Sequence, residues 1–194
     1  MTRVKRINLF RLFIHLSGFF IPFAATMIGI PYTFLIIAIV TILYTISEYL
    51  RVRDRGLPVI RTITLLASKD REVSRFVSAP VYFSSGIMIS LIVFGSSIGF
   101  AAIGIVALGD GFAGLFGRLM GHNYLPFNRK KTLEGSLFCF LFSWLGAYPF
   151  VSPSIAILGA LIGSVVESVP LPIDDDLTMP IASGLTMQIV SLIV

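Results

Sequence analysis

Charged side chains are scarce. Asp, Glu, Lys and Arg together supply 13% of the 194 residues, whereas an ordinary soluble domain carries about 25%. With 56% of residues apolar and a mean hydropathy of +0.92, that scarcity excludes a water-soluble fold. Intrinsic disorder goes with it, because disorder needs low hydrophobicity and high net charge. The single cysteine, Cys139 between Phe138 and Phe140, excludes an internal disulfide and leaves the compartment unread. The two histidines, His15 and His122, stand far apart. No Cys/His metal cluster, Ser/His/Asp set or Walker-type glycine loop is evident, and no repeat or low-complexity segment stands out.

Apolar runs are what the chain has in abundance. A bilayer core about 30 Å thick takes about 20 apolar residues as a helix. Seven stretches qualify, some barely: 12–28, 32–50, 80–94, 97–119, 133–148, 154–169 and 178–194. The uncharged turns Gly29-Ile30-Pro31, Gly95-Ser96 and 149–153 join three pairs of them as hairpins. The expected fold is therefore all-α, a single membrane-embedded domain over 1–194 with about seven transmembrane helices. Arg3, Lys5, Arg6 and Arg11 before an apolar run imitate a secretory signal, but the apolar segments that follow make this run more simply the first span.

The net charge of +5 matters less than its placement. Every Lys and Arg falls before the first span, between the second and third, at or after the end of the fourth, or just before the fifth. These positions share one face, which the positive-inside bias makes cytoplasmic, with the amino terminus inside. The acids Glu48, Asp54, Asp70, Glu72, Asp110, Glu134, Glu167 and Asp174-Asp175-Asp176 gather near the same face. Orientation alone does not require them there. Between the second and third spans, 51–75 places Val59, Ile60, Ile63, Leu66 and Ala67 at helical spacing among bases, which fits an amphipathic helix in the interface or a solvated orientation signal.

Three constellations can carry chemistry, all within 107–180. In the fourth span, Gly109-Asp110-Gly111 is followed by Gly114, Gly117 and Gly121 along one helical face, with Arg118 beside them. That bare backbone admits either a neighbouring helix or a polyphosphate. A packing groove needs no carboxylate, however, and an acid inside a span costs about 2.5–3.5 kcal/mol on insertion scales, which makes Asp110 a functional candidate by default. Next, Arg129-Lys130-Lys131-Thr132 precedes a helix opening with Glu134-Gly135-Ser136. The bases either orient the loop or form an anion site at the helix amino terminus. Third come Glu167 and the run Asp174-Asp175-Asp176, followed by Thr178. A helix cap explains one of these acids but not four, and carboxylates near bases suit a hard divalent cation such as Mg²⁺ sharing substrate phosphates. Joined, they form a cytoplasmic-facing pocket: glycines with Lys130 and Lys131 for phosphate, and Asp110, Glu134, Glu167 and Asp175 or Asp176 for Mg²⁺. Such a pocket suits phosphoryl transfer, where catalysis is mostly positioning and charge neutralisation.

The ordered set Gly109-Asp110 with Gly114, Gly117 and Arg118, then Lys131-Thr132-x-Glu134-Gly135-Ser136, Glu167, and Asp175-Asp176-Leu177-Thr178-x-Pro180 resembles the CTP-dependent lipid-alcohol kinases. That family comprises dolichol, yeast-type diacylglycerol, phytol and farnesol kinases. Upstream, Arg11-x-x-x-His15, Glu48-x-x-Arg51 and Arg71-Glu72 resemble its less distinctive amino-terminal half. The resemblance implies transfer of the γ-phosphoryl of CTP, with a divalent cation, to the hydroxyl of a membrane lipid alcohol. A polyprenol such as dolichol comes first, with phytol or geranylgeraniol next and diacylglycerol as a further family acceptor. Carried over residue by residue, it implies catalytic roles for Asp110, Lys131 and Glu134, and nucleotide or phosphate contacts from Gly109, Gly111, Gly114, Gly117, Arg118, Lys130, Lys131 and Thr132. Metal ligation falls to Asp110, Glu134, Glu167, Asp175 and Asp176, with lipid or structural roles for His15, Glu48 and Arg51. The resemblance implies Asn more often than Asp at the position of Asp176, which leaves the choice between Asp175 and Asp176 open.

A CTP:lipid-phosphate cytidylyltransferase would share substrates, metal and setting but release pyrophosphate. A transporter would place ionisable groups along a path, whereas here the outer half of every span lacks them. A non-catalytic membrane subunit would not need the combined acids and bases. No feature points to nucleic acid, and the oligomeric state is not encoded in any motif.

Overall fold

A computed structural model describes residues 9–53, 60, 62, 64 and 76–193. Most of the interfacial helix expected over 51–75, and Arg71-Glu72 with it, lies outside the described residues. Among those described the chain is helical: α1 (Leu9–Gly18), α2 (Ile21–Ile28), α3 (Ile30–Arg51), α4 (Ala79–Val93), α5 (Gly95–Leu119), α6 (Leu133–Ala147), α7 (Pro153–Ser168) and α8 (Asp175–Ser191). These cover the seven apolar stretches, the first of them broken into α1 and α2 at Phe19-Phe20. Three are long and apolar enough to cross a membrane: the α1–α2 run Leu9–Ile28, α3 and α5. Helices α4, α6 and α7 are apolar but shorter.

The boundaries follow local chemistry. Proline occupies the first turn of α2, α3, α4 and α7, where its missing N–H costs nothing and its fixed φ suits a helix start. Gly29 at φ 92° and Gly95 at φ 70° sit at two of the helix junctions, in a region that L side chains rarely adopt. Thr132 caps α6 by accepting from Gly135 N at 3.2 Å, and Asp174 caps α8 by accepting from Asp176 N at 3.1 Å.

Helix α5 is the axle of the bundle. Of its best apolar window 78% is buried, against 11% for α3, and α1, α4, α6, α7 and α8 all pack on it. Bare backbone allows the close approach that membrane helices use in place of a hydrophobic drive. A Cβ on Gly104 would clash with the carbonyl oxygen of Gly146, and one on Gly146 with that of Gly104. Helices α5 and α6 therefore touch backbone to backbone. One turn beyond this contact Ser143 donates to the carbonyl of Ile105 at 3.2 Å, and Gly109 sits against the Ser143 hydroxyl. Glycine-directed contact also sets α4 on α8, where Gly86 meets the carbonyl oxygen of Asp176 and the ring of Pro180.

Candidate active site

The ends of these helices enclose a cavity of about 540 Å³. Helix α1 contributes Arg11, Leu12 and His15; α5 contributes Asp110, Gly111, Gly114, Leu115 and Arg118; Lys130, Lys131 and Thr132 come from the loop before α6. Glu167 reaches in from the last turn of α7, Asp174 and Asp175 from the start of α8, and 76–79 from the lead into α4.

Lys131 is the hinge of the charge arrangement. Its Nζ donates to Glu167 Oε1 at 2.5 Å and to Asp175 Oδ2 at 2.7 Å. Burial works to lower its pKa, but the charges of Asp175 and Glu167 outweigh burial and hold it above the ordinary lysine value, so the ammonium stays protonated. Beside it, burial and then the neighbouring Asp175 raise the carboxyl of Asp174 above its usual range. The loop carrying Lys131 is tied to α7 by Asn128, which donates from Nδ2 to the carbonyl of Ser168 at 2.9 Å. Ser136 and Ser168 share a hydroxyl bond of 2.7 Å, and Ser164 donates to the carbonyl of Ser136 at 2.8 Å.

Behind Asp110 lies a second knot of charge. Arg11 Nη2 is 3.9 Å from Asp110 Oδ2 and 3.8 Å from Asp176 Oδ2; His15 Nδ1 is 3.6 Å from Asp110 Oδ2 and 3.7 Å from Asp176 Oδ1. Asp176 is fully buried, and neither of its carboxylate oxygens has a hydrogen-bond partner. Pro180 cannot return the usual N–H to the Asp176 carbonyl four residues back, so this turn of α8 is polar on both its backbone and its side chain.

The donor set fits a hard divalent cation. Asp110, Glu167 and Asp175 each offer an oxygen within 4.8 Å of the others. Glu167 Oε2 is buried with no hydrogen-bond partner, and carboxylate oxygens at this spacing are what Mg²⁺ or Mn²⁺ selects. His15, Asp110 and Asp176 form an adjoining group, as do Asp174, Asp175 and Asp176.

Most of the residues expected from sequence meet here, and a few do not. Gly111, Gly114, Gly117, Arg118, Lys130, Lys131 and Thr132 line the cavity with Asp110, Glu167 and Asp175; Asp176 sits just behind the wall. Gly109 faces α6 and Gly121 faces the Thr132 side chain, so both serve packing. Glu134 is placed outside the cavity. Its carboxylate accepts from the backbone N–H groups of His122 and Asn123 at 3.2 and 3.1 Å and from Asn123 Nδ2 at 2.8 Å, which closes the loop that presents Lys131. Glu48 and Arg51 pair with each other on α3. Arg11 was legible in sequence only as an orientation charge and as half of Arg11-x-x-x-His15, and the structure puts both residues of that motif at the site.

No family model matches the chain, and no solved structure does. Curated relatives do match. The chain is 34% identical over 157 residues to a probable chloroplastic phytol kinase of Triticum aestivum, covering 70% of this chain and 52% of that protein. It is 33% identical over 133 residues to a probable chloroplastic phytol kinase 2 of Glycine max, covering 59% and 46%. It is 26% identical over 155 residues to the chloroplastic phytol kinase 1 of Arabidopsis thaliana, covering 69% and 51%. The chain spans about half the length of these relatives.

Proposed function

The chain belongs to the lipid-alcohol kinase family that includes the plant phytol kinases, and from that premise we propose that it transfers the γ-phosphoryl group of a nucleoside triphosphate, CTP by family resemblance, to the hydroxyl of an isoprenoid alcohol. Phytol takes precedence over dolichol and other polyprenols as acceptor, because the relatives are named for phytol. The observation that carries the reading is one cavity holding Lys131 between Glu167 and Asp175, with Asp110 across from them. Positive charge for a polyphosphate and carboxylates for a cation occupy the same space.

In this reading the triphosphate enters from the cytoplasmic face, over Gly114, Gly117, Lys130 and Arg118. Lys131 neutralises charge on the group in transit. The alcohol arrives from the bilayer, and Asp110 orients its hydroxyl and accepts its proton as the oxygen attacks the γ-phosphorus and the bond to the β-bridging oxygen breaks. Glu167 and Asp175, with Asp110, would hold a divalent cation such as Mg²⁺, which would supply charge neutralisation to the polyphosphate. Asp176 stays behind the wall, keeping Arg11 and His15 against Asp110. Seven membrane crossings with the amino terminus and the catalytic end inside accord with the placement of the Lys and Arg residues.

Gly114 gives a local check. It is exposed within helix α5, lines the cavity, and a Cβ added to it would meet nothing within 4 Å. Packing does not require glycine there, and a mid-helix glycine costs about 0.5–1 kcal/mol relative to alanine. Gly114→Ala is expected to raise the thermal unfolding midpoint while raising the nucleotide KM about tenfold, a crowding cost of about 1.4 kcal/mol. An alanine variant that is both more stable and kinetically normal would remove Gly114 from the phosphate path.

The direct experiment incubates purified protein with γ-labelled CTP or ATP and a panel of phytol, geranylgeraniol, dolichol and diacylglycerol. Label is expected on phytol, with CDP as coproduct. Pyrophosphate release would indicate a cytidylyltransferase instead, and no transfer with any donor and acceptor would sink the kinase reading.

A further inference from the structure

Helix α3 turns most of its surface outward: Leu35, Ile36, Ile39, Val40, Ile42, Leu43 and Ile46 are all exposed. Its last turns do the opposite and bury Ser47, Glu48 and Arg51. Glu48 is 0% exposed and accepts from Arg51 Nε and Nη2, each at 2.7 Å. Desolvation offsets the attraction in such a pair, so a buried ion pair is weak evidence of a stabilising role. This one does something else as well. Glu48 Oε1 accepts from the backbone N–H of Val77 at 2.8 Å, and Tyr44, one turn earlier on the same helix face, donates its hydroxyl to the carbonyl of Val77 at 2.9 Å. Side chains of α3 thus hold both backbone polar groups of a residue that lies in neither helix nor strand.

Val77 belongs to the stretch 76–79 that walls the cavity. Phe76, Val77 and Ala79 of this wall, with Leu12 and Leu115, are apolar and flank the one hydroxyl of Ser78, whereas Lys131, Glu167 and Asp175 elsewhere in the lining are charged. A triphosphate suits the charged part. A hydrocarbon chain that hydrogen-bonds only through its terminal hydroxyl suits the apolar part, and Phe76 is 40% exposed at that wall. We propose that 76–79 forms the subsite for the hydrocarbon of the alcohol acceptor, and that Tyr44 and the Glu48–Arg51 pair are positioning residues that set this wall by gripping Val77. The identity of the acceptor rests on the lipid-alcohol kinase reading; the grip and the two-sided cavity do not.

Two variants loosen the wall by different routes. Tyr44→Phe removes one hydroxyl. Glu48→Leu/Arg51→Leu removes the acceptor without leaving an orphaned charge, a replacement that is commonly neutral or stabilising. Each is expected to weaken nucleotide-free binding of tritiated phytol about tenfold, the scale of one lost hydrogen bond, and to raise the phytol KM in step while leaving the CTP KM unchanged. A general loosening of the fold would move both KM values together, and that outcome, or unaltered phytol binding in both variants, overturns the proposal. Weakened phytol binding in variants of a protein that phosphorylates nothing supports the wall and sinks only the kinase reading.

Discussion

Lys131→Met is expected to cost at least about 10²-fold in kcat, the usual loss when a group that stabilises transition-state charge is removed, and to destabilise the folded protein at the same time. The second effect follows from the company Lys131 keeps. Its ammonium bonds Glu167, which is 3% exposed, and Asp175, and methionine leaves the two carboxylates facing each other. Removing one partner of a buried pair costs about 3–5 kcal/mol, and the lower end applies because the Lys131 side chain is 28% exposed. Lys131→Met/Glu167→Gln separates the two effects. It neutralises the more buried of the two carboxylates and ends their repulsion, and should recover most of the stability, read by thermal unfolding in detergent, without recovering activity. Recovery of turnover in the double variant would mean that Lys131 serves only to neutralise Glu167.

Asp110→Asn should be the sharper catalytic lesion and the milder structural one. Asparagine keeps the shape, lowers the density of negative charge beside Asp175 and Asp176, and leaves Asp176 to face Arg11 and His15. A proton-accepting side chain contributes about 10²–10⁴-fold, so kcat should fall by that order while the protein remains extractable and monodisperse. Asp110 is also the residue shared by the group with Glu167 and Asp175 and the group with His15 and Asp176. A cation that binds only the folded state raises the unfolding midpoint by mass action. Added Mg²⁺ should therefore stabilise the wild type and do little for Asp110→Asn. If the variant retains near-normal turnover together with its Mg²⁺-dependent shift, Asp110 has neither role.

The helices were legible because the sequence marks their ends in residues with local mechanisms. Gly29, Gly95 and the first-turn prolines act on backbone geometry alone, so the apolar stretches and the helices agree within a few residues. The carboxylates of the site were legible for an energetic reason: Asp110 and Glu167 lie in apolar helices, where a charge without a task is costly. Other parts depended on neighbours that no periodicity specifies. Glu134 has the look of a ligand, and its partners are a backbone turn at His122 and Asn123 that only the folded loop creates. Arg11 lies among amino-terminal bases whose orienting role masks a second one. Glu48 and Arg51 are recognisable as a pair at i and i+3, but their hold on Val77 crosses from one helix to the lead into the next.

The two halves of the charge arrangement come from α1 and α8, more than 150 residues apart in the sequence. Arg11 and His15 on α1 leave the ribosome well before Asp176 on α8, the carboxylate between them. Until α8 is made and packs in place, α1 must carry Arg11 without this partner, its long side chain reaching toward water as such side chains can do. Assembly of the site therefore waits for α8, and a product terminated before it carries Asp110 with no second carboxylate to share Arg11. Such a product would be a natural substrate for membrane quality control.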